Sequence, residues 1–297
     1  MRKYEVILVK GGIDSHGDVW TVEALEASAQ IFNAQYTPVG VEHDIRHPPV
    51  GRVIEARVVC TDSGVHELRG TLTLWDEADT EESLSGDGRA VAIGEPPGAP
   101  FAVLYDRAWE GTEDLAFITD LARLVDGAPK FVIKKAVDPI GTLVIVAGAF
   151  AVGALAKSFF GELGKDLYNA LKAKLRDYFA RSQVRGRRLI FTLYVGPDQR
   201  LTEVQVIIDN VGPQAIEAFL SSGLQAVDET VAAILARPND IARIALEYQE
   251  SRIHVLYTMR RDGVPSPRPT IPHDTAMAKG LSVAGTPQYM GRRSRGG

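Results

Sequence analysis

Gly11-Gly12-Ile13-Asp14-Ser15-His16-Gly17-Asp18-Val19 is the first informative stretch of this chain. It is followed by a helical-period segment and then by Val41-Glu42-His43-Asp44 and His47-Pro48-Pro49-Val50-Gly51-Arg52-Val53. Gly and Asp accept tight-turn backbone, so residues 11–18 predict a loop after a short strand at 4–9. Thr21 offers a hydroxyl N-cap for a helix to about residue 35, with Leu25, Ala29 and Phe32 on one stripe. Pro48 and Pro49 stiffen a second loop. Residues 51–61 and 65–74 then read as two strands joined by the turn Thr61-Asp62-Ser63-Gly64. Acidic residues 76–82 start a short helix. Residues 89–94 and 101–105 read as two more strands around a Pro/Gly loop, and 109–124 closes the region with a helical piece.

Histidines and carboxylates therefore gather in short loops at strand ends, where a rigid sheet commonly presents reactive groups. Histidine is the natural proton shuttle near neutral pH. A base still needs a nucleophile and an orienting acceptor. Asp14, Asp18 and Asp44 could hold a hard cation through oxygen, but their spacing fits no standard calcium loop. Asp14 and Asp18 read better as Asx-turn residues that tie the glycine-rich loop to backbone N–H groups. No phosphate loop, zinc helix or dinucleotide fingerprint occurs, so no cofactor or metal is expected.

The pattern from Asp14 to Val53 resembles the prohead (capsid maturation) serine proteases of tailed phages and their prophage relatives. An early Asp-to-Gly-Asp loop, a helix, and a His-Asp step into a Gly-Arg-Val strand carry the likeness, which extends over residues 3–124. It implies the mixed sheet of herpesvirus-type assembly proteases, with His43 as the base. The substrate implied is a peptide bond in a scaffold or capsid-like partner. The chain departs from the pattern where the family places its nucleophilic serine, for the matching positions read Ala92-Ile93-Gly94. Ser83 and Ser85 lie just upstream and could substitute as nucleophiles only in another register, and beside Gly86 and Asp87 they read better as turn residues. His66 and Glu67 on the hairpin are the candidate orienters.

The rest of the chain has another character. Residues 1–129 carry 10 Lys and Arg against 23 Asp and Glu, a net of −13, and residues 130–297 carry 23 against 15, a net of +8. The acidic first half argues against a nucleic-acid grip, which needs local cations. Residues 140–156 are 17 consecutive uncharged positions rich in Gly and Ala. A membrane-spanning helix needs about 20 apolar residues, range roughly 17–25. Two readings stand for this run, a buried or partner-facing helix and a membrane-inserting one. Phe160, Leu163, Leu167, Leu171 and Leu175 continue it as an amphipathic helix. Strands at 189–195 and 204–208, a helix at 213–235 interrupted at Gly223, and strands at 241–248 and 253–259 follow. The single cysteine, Cys60, excludes an intramolecular disulfide and ends an apolar run, which predicts a core thiol.

The expected fold is α+β. It has a prohead-protease-like domain over 1–129, a helical segment over 130–185, a small β-β-α-β-β domain over 186–263 and a disordered tail over 264–297. The chemistry expected is peptide or protein recognition in the cytoplasm, with peptidase activity lost through Ala92. The alternatives are an active endopeptidase using His43, and a membrane-associated effector acting through 140–156. The partner expected is a protein or peptide, in an assembly that can be oligomeric.

Overall fold

The computed structural model describes residues 2–13, 19–41, 44–75, 88–106, 109–131, 141–181, 187–197, 200–267 and 281–283. In chain order the first elements are β1 (Arg2–Lys10), β2 (Gly12–Ile13), β3 (Val19–Trp20), α1 (Val22–Ala34), β4 (Thr37–Val41), β5 (Gly51–Cys60) and β6 (His66–Leu74). Then come β7 (Phe101–Tyr105), α2 (Thr112–Arg123), β8 (Lys130–Phe131), β9 (Thr142–Phe150), α3 (Leu155–Arg181), β10 (Arg188–Val195) and β11 (Thr202–Asp209). The last are α4 (Pro213–Ala218), α5 (Leu224–Leu235), β12 (Ile241–Gln249), β13 (Arg252–Arg260), β14 (Pro265–Ser266) and β15 (Leu281–Val283). The α+β class is as expected.

The first sheet is antiparallel, in the order β1-β6-β5-β4-β15. One face is covered by α1. Thr21 Oγ1 accepts the Ala24 N–H at 3.2 Å and caps this helix, as its sequence predicts. Leu25, Ala29 and Phe32 point inward against Val39, Val53, Leu68 and Leu72. At the other end, Arg89 donates to the carbonyls of Phe32 (2.8 Å) and Val53 (2.7 Å). It thereby ties residues 88–94 to the helix terminus, where unpaired carbonyls attract a cation.

The second sheet has eight strands, in the order β14-β13-β12-β11-β10-β9-β7-β8. It is mixed. The pairs β7–β8, β9–β10 and β11–β12 are parallel and the others antiparallel. Its larger core lies between one face and α2 to α5. There Leu189, Phe191 and Leu193 of β10 meet Phe159, Leu171 and Leu175 of α3 and Phe219 and Val227 of the α4–α5 segment. The expected division near residue 130 falls inside this sheet, because β7 and α2 pack with β9 rather than with the first sheet.

Residues 140–156 are the main correction. Residues 141–154 form no helix, β9 occupies Thr142–Phe150, and Leu155 already opens α3. Leu143, Ile145 and Ala147 face the helix-covered core, whereas Val144 and Val146 face Tyr194 and Leu201 on the opposite side. A strand buried on both faces needs no polar alternation, so it reads as a continuous apolar run. Its β-branched positions Thr142, Val144, Ile145 and Val146 fit that state better than a helix. Among the described residues, no helix is long and apolar enough to cross a membrane.

The amphipathic stretch that follows is helical as expected. Its two parts meet at Gly164, whose φ of 69° lies in the left-handed region. The predicted interruption at Gly223 is a widened turn over Phe219–Gly223 that joins α4 to α5 without a break. A β-carbon on Gly223 would lie 2.7 Å from Phe219 Cδ2 and 3.1 Å from Tyr248 Cε2. Gly223→Ala should therefore overpack this core. The expected loss is about 1–3 kcal/mol, read as a lower urea midpoint at unchanged slope.

Three smaller expectations are also corrected. Cys60 is exposed, not buried, because it ends β5 at the hairpin where its side of the strand meets solvent. Residues 90–94 form no strand beyond a single parallel bridge between Tyr36 and Val91, and Pro96 and Pro97 follow directly. The tail is structured in two places. Pro265–Ser266 pairs with Thr258 and Met259 of β13, and Leu281–Val283 pairs with Val39–Val41 of β4.

Candidate functional site

The second face of the large sheet carries charge. In β10, β11 and β12 the apolar residues alternate toward the helix-covered core, which sends Arg188, Glu203, Gln205, Asp209 and Arg243 to the other side. That side meets the first sheet. Tyr36 and Val91 pack there on Ala242, Ala245, Tyr257 and Met259. The junction of the two sheets is thus a buried seam with two ionic clusters, and it holds the loop that leaves β4.

The first cluster is a closed ring of two arginines and two aspartates. Arg188 opens β10 and faces Asp209, the last residue of β11. Arg188 Nε donates to Asp209 Oδ1 at 2.6 Å, and its Nη1 lies 3.4 Å from Asp44 Oδ1. Arg46 Nε donates to Asp44 Oδ2 at 2.9 Å, and Arg46 Nη1 to Asp209 Oδ2 at 2.7 Å. The Arg188 side chain is 2 % exposed. Burial opposes ionisation of Asp44, but the Arg46 hydrogen bonds and the Arg188 charge outweigh it, so its carboxyl is held below the usual range. The Asp44 hydrogen bond raises the Arg46 guanidinium against its own desolvation.

The second cluster centres on Glu203. Its Oε1 accepts from Arg243 Nε at 2.9 Å and from Gln205 Nε2 at 2.6 Å. Its Oε2 accepts the Gly94 N–H at 3.3 Å. The Tyr194 hydroxyl packs directly against Gly94, leaving no room for a side chain there. Burial, and then the Glu203 charge, pushes the Tyr194 phenol up. Burial does the same to Tyr257, against the pull of Arg243. Residues 90–94 are therefore pinned from three sides. Tyr36 N–H donates to the Ala90 carbonyl at 3.0 Å, Val91 N–H donates to Arg261 O at 2.8 Å, and Gly94 N–H reaches Glu203.

Among the expected site residues, His43, Ser83 and Ser85 lie outside the described residues, as do Asp14 and Asp18. Ala92 is described and exposed. His66 and Glu67 sit at the hairpin end of β6, opposite Cys60 and Val59. The β4 strand pairs with the other end of β5, at Gly51–Val53. Val59 is eight residues along β5 from Gly51, or about 26 Å at ~3.3 Å per residue. The structure therefore does not bring His66 and Glu67 to the loop after β4. Glu67 is buried and accepts from Arg69 at 3.0 and 3.1 Å, a ladder ion pair within β6.

Clefts also lie away from the seam, two of them beside ion pairs. One, of about 380 Å³, opens at the carboxyl ends of the parallel strands β9 and β10. Asp240 there accepts from both Arg200 (3.1 Å) and Arg261 (3.0 Å). Those guanidiniums hold the Asp240 carboxyl below its usual range. The other, about 750 Å³, lies between α2 and α3 beside the Arg187–Asp114 ion pair at 2.8 Å. Arg187 stacks over Trp109 at 4.2 Å. Among the described residues, no group of three or more His, Cys, Asp or Glu could hold a metal ion.

Sequence reading missed Arg188, Asp209, Glu203 and Arg243. Their signal in the sequence is one or two charges per otherwise apolar strand, at alternate-side positions that normally mark a solvated face. The chain matches no protein-family model, no curated protein and no solved structure with which it was compared.

Proposed function

We propose that this chain is a non-catalytic protein-binding module, built on a first sheet that resembles a prohead protease and has no peptidase activity. The observation that carries the reading is the use made of residues 90–94. The resemblance puts the nucleophile there, yet position 92 is alanine. The flanking backbone groups of Ala90, Val91 and Gly94 are taken up by Tyr36, Arg261 and Glu203. A nucleophile must sit free within hydrogen-bond reach of a base. A segment stapled between two sheets, with a methyl group in place of a hydroxyl, serves as a structural tie. The loop after β4 is likewise anchored through Asp44 and Arg46 to the second sheet.

The test is labelling with a fluorophosphonate probe across pH 6–9. The expected result is no labelled serine in folded protein and no cleavage of a denatured-casein substrate. One stoichiometrically labelled serine whose labelling disappears in His43→Ala would replace this reading by an active endopeptidase.

A further inference from the structure

We infer that the outer edge of β4 is a docking edge for an extended peptide segment of a partner protein, basic in its flanks, and that Leu281–Val283 fills this edge in cis until such a segment displaces it. The inference rests on strand pairing and charge and is independent of the protease resemblance.

An unpaired strand edge presents a row of N–H and C=O groups that any extended chain can satisfy, and partners commonly add a strand there. The inner side of β4 pairs with β5 at Thr37, Pro38 and Val39. Among the described residues its outer side pairs with β15 alone, in the register Leu281↔Val41, Ser282↔Gly40 and Val283↔Val39. That cover comes from a segment remote in sequence and is three residues long. Leu281 is half-buried against the first core, opposite the fully buried Val41. One apolar side chain and a three-residue ladder give recognition that a longer partner strand can exceed. Short, peripheral pairings are also the first to open.

Charge defines the partner. Residues 1–129 carry a net −13, from 10 basic and 23 acidic residues. Residues 264–297 carry Arg268, Lys279, Arg292, Arg293 and Arg295 against the single acid Asp274, a net of +4. The resident strand thus belongs to a basic stretch of the sequence and pairs with a strand from the acidic stretch. A competing segment must match it, with an apolar residue at the Leu281 position and Lys or Arg on either side.

The test uses the full chain and a fluorescein-labelled peptide corresponding to residues 277–295, which carries Lys279 before the strand and Arg292, Arg293 and Arg295 after it. Leu281→Asp should empty the edge. Peptide binding by anisotropy is then expected to be at least tenfold tighter than to wild type. Raising NaCl from 50 to 300 mM should weaken it, and a peptide carrying Asp in place of its Leu should not bind. Hydrogen exchange at the Gly40 amide, which faces the outer edge, should be slow in wild type, fast in Leu281→Asp and slow again with peptide. Ser282→Pro, which leaves Leu281 in place and removes the N–H opposite Gly40, should show the same pattern and covers the case in which Leu281→Asp does not fold. Unchanged protection at Gly40 in both variants, or no peptide binding to either, overturns the inference. A wild-type dimer that dissociates in Leu281→Asp would assign the edge to a second copy and overturn it equally.

Discussion

Glu203→Ala is expected to lower the free energy of unfolding by about 3–5 kcal/mol, measured by urea denaturation. The carboxylate is buried and joins three donors from three parts of the chain: Arg243, Gln205 and the Gly94 N–H. Its loss leaves a buried guanidinium without its counter-ion, which costs far more than a lost surface pair. The double change Glu203→Leu with Arg243→Met is expected to recover most of the loss, because neither charge is then stranded. A residue of about 1 kcal/mol should remain for the unpaired Gly94 N–H. A Glu203→Ala protein as stable as wild type would show that the seam is open to water.

Arg188→Met should cost about 3 kcal/mol, because it leaves Asp44 and Asp209 facing each other with Arg46 as their remaining ring cation. The same ring makes the seam sensitive to acid. The folded-state carboxyl of Asp44 is held below its ordinary value. Folding therefore favours the ionised form, and the stabilisation is fully present above the unfolded value of about 3.9. It is lost as pH falls from there through the lowered folded value. Asp44→Asn is expected to be less stable than wild type at pH 7 and to show a shallower loss of stability below pH ~4. Parallel acid limbs for the two proteins would remove Asp44 from the linkage.

The helix capped at Thr21, the hairpin around residues 61–65 and the strands β10 to β13 were legible because each has a local signal. A hydroxyl cap, a turn sequence and alternation in β-branched residues act within a few positions. Strand β9 was not legible. Its run from Thr142 to Phe150 is apolar on both faces, so periodicity does not separate a central strand from a buried helix, and the β-branched positions Thr142 to Val146 are its one local hint. The ionic seam was hidden for the converse reason. Arg188 and Glu203 sit at the positions a solvated face would use, and what covers them is a different sheet. The pairing of Leu281 with Val41 has no local signal at all. It depends on where two distant segments end up after both sheets are built.

That last pairing sets an order of events during synthesis. Val41 and Leu281 are 240 positions apart. At ~5–20 residues per second, translation needs on the order of 10–50 s to cover that interval. Once Leu74 has been made, β1, β4, β5, β6 and α1 can assemble with the β4 edge still bare. The nascent chain therefore meets its surroundings with an open ladder that the finished chain has closed, and any helper or client able to lend a strand has that interval in which to act.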